Sequence, residues 1–402
     1  MIDKSDQTIL RYLMGEGALT PGPLSAEYRY VKNTDGTIRW LFPKHLSRPS
    51  FLAFYSTASF RARFISGLIR LAFFIRLPGL VSSGPLSLCV TGDSKVGKVL
   101  SKYRNCSYSI FTGTVGDNRK TIVELTSNEG VTTFIKIGIT DSSRALVDHE
   151  VVQLNYLNGL EFAHLVVPRV VDANRNGIVE LTNIKPRHAL QVASINPEHI
   201  RALAEMYRCS FRTIAWHELK LSESCRTLSA RISEIDFSNS QLNFDWVIAL
   251  LEKLQRLLVM LDKSHKSAVV SLSHGDFTPW NMYLAGEKVY LFDWEMSQFD
   301  VPMAFDLVHF AFQSQVMIEG AGYQEVKKEL DRARNIPGFQ KLTDHYGMDF
   351  NASYQFYIAS TLIYYLPKYA EQSELHDQAR LILDVWEDAL GVCLSKGGKV
   401  FD

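Results

Sequence analysis

The residues able to do chemistry are concentrated between Ser271 and Glu295. Asp276 follows a strand-like segment, Ala268 to Leu272, in a loop made sharp by Gly275 and Pro279, and Asn281 comes five residues later. A hairpin is predicted next: Met282 to Leu284, a turn at Ala285-Gly286-Glu287-Lys288, and a return over Val289 to Phe292 that brings Asp293 back beside Asn281. An Asp and an Asn converging in this way offer a hard, oxygen-only donor set suited to Mg²⁺. The chemistry that asks for such a set is phosphoryl transfer. It needs a carboxylate to orient an acceptor hydroxyl, oxygen ligands to hold a divalent ion against phosphates, and a cation to fix the phosphates. The alternative for Asp276 and Asn281 is a polar turn whose side chains cap local backbone.

His274-Gly275-Asp276 followed by Asn281 resembles the catalytic loop of the aminoglycoside phosphotransferases and related small-molecule kinases. Phe292-Asp293-Trp294-Glu295 resembles that family's metal-binding segment, and Phe305-Asp306-Leu307 its downstream Asp-Leu at the start of a helix. The resemblance implies Asp276 as catalytic base and Asn281 and Asp293 as metal ligands, with His274 bracing the loop and Asp306 structural. Upstream, it implies that Lys136 in Phe134-Ile135-Lys136-Ile137 contacts nucleotide phosphates, held by Glu150 on the next helix. Burying a lysine among β-branched neighbours is costly unless it is paired. Lys136 as a solvent-facing strand residue, and Glu150 as an exposed helical charge, are the alternatives. Gly113 to Gly116 falls where the family's nucleotide-covering loop lies, and Glu180 to Asn183, including Thr182, where its adenine-contacting connector lies. His149 and His309 receive no role.

The elements that must position these groups follow from periodicity. Tyr108 to Thr112, Thr121 to Leu125 and Val131 to Ile137 read as strands, Ser143 to Leu157 as a helix, and Leu165 to Val171 and Gly177 to Leu181 as strands. After Pro186 the pattern turns helical: Pro197 to Arg212, Asp245 to His265, Met303 to Met317, Tyr323 to Asn335, Tyr354 to Tyr369 and Leu375 to Leu394. The resemblance spans residues 105–310 and implies an α+β, bilobal, protein-kinase-like fold. Residues 1–90 would be an N-terminal extension of unassigned role, 91–185 a β-rich nucleotide-clamping lobe, and 186–402 a helical lobe with the catalytic and metal-binding loops. The stretch Pro78-Gly79 to Ser82-Ser83-Gly84-Pro85 reads as a linker or loop closing the extension.

Forty-three basic and 43 acidic residues balance, so charge points to no nucleic acid partner. Five scattered cysteines, never spaced C-x-x-C, argue against a disulfide framework or zinc site and for a reducing, cytoplasmic setting. Gly92-Asp93-Ser94-Lys95-Val96-Gly97-Lys98-Val99 nearly matches a phosphate-binding loop, but Val99 replaces the hydroxyl that would bind Mg²⁺, so a turn into a helix is expected instead. No acidic residue occurs from Gly36 to Gly92, and Phe51 to Arg76 interleaves arginines with apolar residues. That segment is either a core-packing helix with arginines reaching solvent, or one lying along an anionic membrane at its inner face. The expected function is transfer of the γ-phosphoryl group of ATP, with GTP as an alternative donor, to a small-molecule hydroxyl with Mg²⁺. The alternative is a kinase-fold nucleotide-binding scaffold with little catalysis.

Overall fold

Side chains on β2 (Ile38–Pro43) show how the N-terminal region folds: Trp40 and Phe42 enter one core and the alternate Leu41 another, which Ile38 joins across a register shift in the pairing with the preceding strand. The computed structural model describes residues 3–20, 25–33, 36–54, 60–103, 105–113, 116–130, 132–174, 176–186 and 188–401. By backbone contacts the chain divides into two compact units, Met1–Glu161 with Val167–Arg187, and Phe162–Val166 with His188–Asp402.

The first unit is built on an eight-stranded antiparallel sheet. Its strands are β1 (Ser25–Lys32), β2, β3 (Gly84–Cys89), β4 (Ser107–Phe111), β5 (Lys120–Thr126), β6 (Thr132–Gly138), β8 (Val170–Asn174) and β9 (Ile178–Thr182). They run in the order β3-β1-β2-β4-β5-β6-β9-β8. On one face α1 (Lys4–Met14) and α3 (Lys95–Lys102) pack Ile9, Leu10, Leu13 and Val96 against Tyr28, Leu41 and Val123. On the other, α2 (Phe60–Phe74) packs Ile69 and Phe73 against Trp40, Phe42 and Phe51. Helix α4 (Asp141–Asn158) follows β6 and starts on a Thr140–Ser143 capping box.

The sheet changes the reading of residues 1–90. No unit boundary falls at residue 90, because β1 and β3 pair from Ser25↔Cys89 to Tyr30↔Gly84 and β2 pairs β4 through Trp40↔Phe111. The stretch read as a linker is a 3₁₀ turn over Pro78–Val81 that runs into the sheet, where Ser83 N–H donates to the Tyr30 carbonyl at 2.8 Å and Gly84 and Pro85 begin β3. Asp6, buried on α1, accepts the Ile38 N–H at 2.9 Å and ties the first helix to the same sheet. The near phosphate-binding loop is a turn into α3, with Ser94 as N-cap accepting the Gly97 N–H at 3.0 Å.

The second unit is mainly helical: α5 (Pro197–Ser210), α6 (Leu221–Glu234), α7 (Phe244–Ser264), α8 (Phe305–Phe312), α9 (Tyr323–Arg334), α10 (Pro337–Tyr346), α11 (Phe350–Ala370) and α12 (Asp377–Ser395). Two small sheets lie among them, β10-β11-β14 (Arg212–Ala215, Ser267–Ser273, Gln298–Pro302) and β12-β13-β7 (Met282–Ala285, Lys288–Leu291, Leu165–Val166). The single strand expected over Leu165 to Val171 is two strands, β7 in this unit and β8 in the first, interrupted at Pro168. Glu205 of α5 holds β7 in place: its carboxylate accepts the N–H groups of Ala163, His164 and Leu165 at 2.7, 3.0 and 2.8 Å.

Charge-assisted acceptance of several backbone donors makes Glu205 hard to replace. Glu205→Gln removes the charge and turns an amide donor toward these N–H groups. We expect a loss of roughly 2–4 kcal/mol in urea unfolding, with an unchanged m-value.

Candidate active site

Strand β11 ends at Ser273 and delivers the chain into the loop His274 to Thr278, followed by a single 3₁₀ turn over Pro279–Asn281. Asp306, in the first turn of α8 and 2% exposed, holds that loop. Its Oδ1 accepts from Ser273 Oγ at 2.8 Å and Gly275 N–H at 3.0 Å, and its Oδ2 from His274 N–H at 2.8 Å. Gly275 is required there for two reasons. Its φ is +79°, and a Cβ would come within 2.2 Å of the Met296 carbonyl oxygen.

His274 is fully buried, and its ring is fixed on both sides. Nδ1 accepts the Asp276 N–H at 3.2 Å, so the proton sits on Nε2, which donates to the Phe292 carbonyl at 3.1 Å. Burial pushes its pKa below the usual histidine value despite the opposing charges of Asp306, Asp276 and Asp293, so the ring stays neutral. It thereby links the loop to the end of β13. The indole of Trp294 packs edge-on against it at 4.7 Å and donates to the Leu291 carbonyl at 3.0 Å.

Asp276 has both carboxylate oxygens engaged. Asn281 Nδ2 donates to Oδ2 at 2.8 Å and to the Asp276 carbonyl at 3.1 Å, and His309 Nε2 lies 3.1 Å from Oδ1. The Asp276 side chain is 35% exposed, while the His309 side chain is 4% exposed. His309 is the site residue that the sequence reading left without a role. Its signal was its place three residues after Asp306 on one helix, which sets both on the side of α8 facing the loop.

The hairpin that returns the chain is present, with β12 and β13 paired from Met282↔Leu291 to Ala285↔Lys288 around Gly286-Glu287. Phe292 N–H donates to the Asn281 carbonyl at 3.0 Å, so Asp293 follows directly on a residue bonded to Asn281. Asp293 adopts a left-handed conformation (φ 71°, ψ 59°), which a short polar side chain tolerates better than others. Its carboxylate and that of Glu295 bring oxygens within 4.8 Å of each other.

In the first unit, Lys136 on β6 meets Glu150 on α4 with Nζ 2.7 and 2.6 Å from the two carboxylate oxygens, both side chains buried. Gly113 and Gly116 lie in the β4–β5 loop with positive φ (81° and 147°); Thr114 and Val115, between them, are outside the described residues. Buried Arg119 braces this loop, donating Nε–H to the Thr112 carbonyl at 3.0 Å and a guanidinium N–H to Ser5 Oγ at 3.1 Å. Glu180 does not lie in a connector. It is inside β9, paired with Ile135 and Asp172, and its carboxylate accepts from Lys102 at 2.8 Å and from the Tyr103 hydroxyl. Thr182 ends β9, its N–H donating to the Arg169 carbonyl at 3.0 Å, so a connector begins only after it.

A sequence profile of the phosphotransferase enzyme family (APH) matches residues 117–336, more than half of the chain; of the groups above, Ser5, Lys102, Tyr103, Thr112, Gly113 and Gly116 lie outside it. The chain belongs to this phosphotransferase family. No curated protein sequence matches it. Among solved structures it is similar to a thermostable mutant of aminoglycoside phosphotransferase APH(4)-Ia in ternary complex with ADP and hygromycin B. That match has 11% identity, 75% of this chain and 98% of that one covered, and TM-score 0.48. It is also similar to the amicoumacin kinase hAmiN in complex with AMP-PNP and Ca²⁺ (15% identity, 73% and 92% covered, TM-score 0.46). A third likeness is to macrolide 2′-phosphotransferase type I (17% identity, 72% and 95% covered, TM-score 0.41).

In this phosphotransferase the donor set around Asn281 and Asp293 fits a hard divalent ion. Asn281 is oriented by its two bonds to Asp276, leaving its oxygen as acceptor. The Asp293 and Glu295 carboxylates bring hard oxygen donors within 4.8 Å of one another, the kind of set a divalent ion takes.

The loop also depends on His199 of α5, whose ring lies 5.0 Å from Phe310 and 6.1 Å from Phe277. Burial, with the Arg332 charge adding to it, pushes its pKa down from 6.5 to about 3. The unfolded chain therefore takes up this proton below pH 6.5 while the folded one does not. The stability it contributes is complete above pH 6.5 and is lost progressively as pH falls toward 3. Equilibrium urea unfolding of His199→Gln should show a flatter stability–pH profile across that window than wild type. Gly275→Ala should displace the loop from Met296 and lower the melting temperature, read by circular dichroism, by more than Gly286→Ala, which meets no atom within 4 Å of its would-be Cβ and should cost only the roughly 1–2 kcal/mol of an L residue at φ +60°.

Proposed function

We propose that this phosphotransferase moves the γ-phosphoryl group of ATP to a hydroxyl of a small molecule, with Asp276 as the group that orients the hydroxyl and accepts its proton. The observation that carries the reading is the Asp276 carboxylate, engaged by Asn281 on one oxygen and His309 on the other yet partly open to solvent. Such a carboxylate cannot rotate away from an incoming hydroxyl, so positioning is complete before the substrate arrives. Strong basicity is not required. The transferred group passes through a loose transition state, and the hydroxyl proton leaves late.

Lys136 fixes the nucleotide phosphates in this reading, and Glu150 keeps its ammonium charged and aimed. Pairing offsets a burial that would otherwise drive the lysine neutral. Asn281 and Asp293 hold Mg²⁺, which neutralises phosphate charge when bound; Glu295 stands beside them as a further oxygen donor. His274 keeps the loop attached to the metal-binding segment, and Asp306 fixes its backbone. The glycines at 113 and 116 give the nucleotide-covering loop its reversed backbone. The adenine edge is assigned to the backbone of residues 183–186, since β9 uses the groups of Glu180 and Thr182. Membership of the phosphotransferase enzyme family supports the acceptor class, a hydroxyl-bearing small molecule, and no particular compound.

Turnover is read as ADP release over a panel of hydroxyl acceptors. Asp276→Asn should lower kcat by about 10²–10⁴-fold while nucleotide still binds. Wild-type turnover by this variant would remove Asp276 from its role, and nucleotide binding without turnover by wild type would favour a scaffold. Lys136→Met should chiefly raise the KM for ATP. His309→Asn, which frees Asp276 to rotate, should cost about tenfold in kcat with the KM for ATP unchanged.

A further inference from the structure

Helix α2 buries only part of its surface. Ile69, Ala72 and Phe73 enter the core of the first unit, while Phe64, Leu68, Leu71 and Ile75 form an exposed stripe at helical spacing. Phe74 is 84% exposed, and the apolar surface continues past the helix through Leu77 to Leu80, 72% exposed. An apolar face of this length on one helix is not the scattered exposure normal to soluble surfaces.

The helix ends in a turn whose geometry usually calls for glycine. Leu77 N–H reaches back to the Ala72 carbonyl at 2.8 Å and Arg76 N–H to the Phe73 carbonyl at 3.0 Å, which places Arg76 in a left-handed conformation, φ 60°. A cation is kept here at a conformational cost.

Beside this face opens a cavity of about 1460 Å³, lined within the same unit by Arg48, Arg70, Arg76 and Lys185 as well as by Leu71 and Phe74. Lys44 also lines it but is paired with Glu27. Among the described residues Glu124 is the one carboxylate in the lining, and it is buried and bonded to Ser109 at 2.9 Å. Burial and the nearby Arg70 charge both push the Lys185 pKa below its ordinary value. No acidic residue occurs from Gly36 to Gly92, so the part of the lining from Lys44 to Pro78 carries no acidic residue of its own.

We propose that this surface docks on an anionic lipid bilayer, with the exposed face of α2 in the headgroup–acyl boundary and the basic cavity taking anionic headgroups. An apolar stripe flanked by cations is complementary to that boundary in both respects. It lies on the membrane and does not cross it: α2 has 15 residues, and no helix among the described residues is long and apolar enough to span. The inference stands apart from the phosphotransfer reading: Lys185 lends that reading only its backbone, and none of the residues varied below has a part in it.

The test is co-sedimentation of the full chain with phosphatidylcholine vesicles, with and without phosphatidylglycerol. Binding should require phosphatidylglycerol and disappear at high salt. Arg70→Gln with Arg76→Asn, the asparagine chosen because it tolerates the left-handed backbone, should weaken it roughly thirtyfold. Phe74→Ser should weaken it about tenfold. Both variants should keep the wild-type melting temperature and turnover. Equal binding to both vesicle types, or none to either, would overturn the proposal. So would saturable binding of inorganic phosphate that the double variant abolishes without vesicle binding, which would mark a soluble-anion pocket. A dimer in sedimentation equilibrium that Phe74→Ser dissociates, again without vesicle binding, would assign the face to a second copy of the chain.

Discussion

One carboxylate, Asp306, organises the second unit's chemistry. It gathers the Ser273 hydroxyl and the N–H groups of His274 and Gly275, all within 3.0 Å, at the start of a helix whose dipole favours negative charge there. The loop proposed to carry the reacting carboxylate must hold its backbone rigidly without secondary structure of its own. A buried acceptor of several donors does that where a strand ladder cannot, because each bond to an ionised group is stronger than a neutral one. His274, Asp276, Asn281 and His309 all take their positions from that anchor.

The same device recurs elsewhere. Glu205 collects three backbone N–H groups at β7, and Glu329 accepts the Ile195 N–H at 2.8 Å while pairing with Arg332. In the first unit the roles are divided, with buried Glu150 serving a side-chain cation. Each of these buried carboxylates is met by donors, as desolvation requires. Neutral His274 and His199 follow the converse rule: buried without a full set of counter-charges, they stay uncharged.

The first unit joins two tasks on one sheet. Strands β4 to β6 carry the loop and the lysine that a nucleotide would need, while β1 to β3 extend the sheet and support α2 with its exposed apolar face and basic cavity. Because all eight strands share one hydrogen-bonded ladder, the surface carried by residues 1–90 is rigidly part of the unit that holds Lys136.

The sequence by itself determined the elements with strong periodicity and the residues whose order is chemically distinctive: the loop from His274 to Asn281, the Asp293 segment, and the strand and helix bearing Lys136 and Glu150. Those signals are local, since a sharp turn, a hairpin and a helical stripe are each written within about twenty residues. Three features were decided only by tertiary structure. The first 90 residues joined the sheet because pairing between β1 and β3 links positions some sixty residues apart, which no local pattern reports. Glu180 fell inside β9 rather than beyond it because its neighbours on two strands claim its backbone. His309, silent as one histidine among 11, became part of the site because α8 turns it toward Asp276. Periodicity tells which face of an element is apolar; which polar group that face meets depends on contacts that only the folded chain makes.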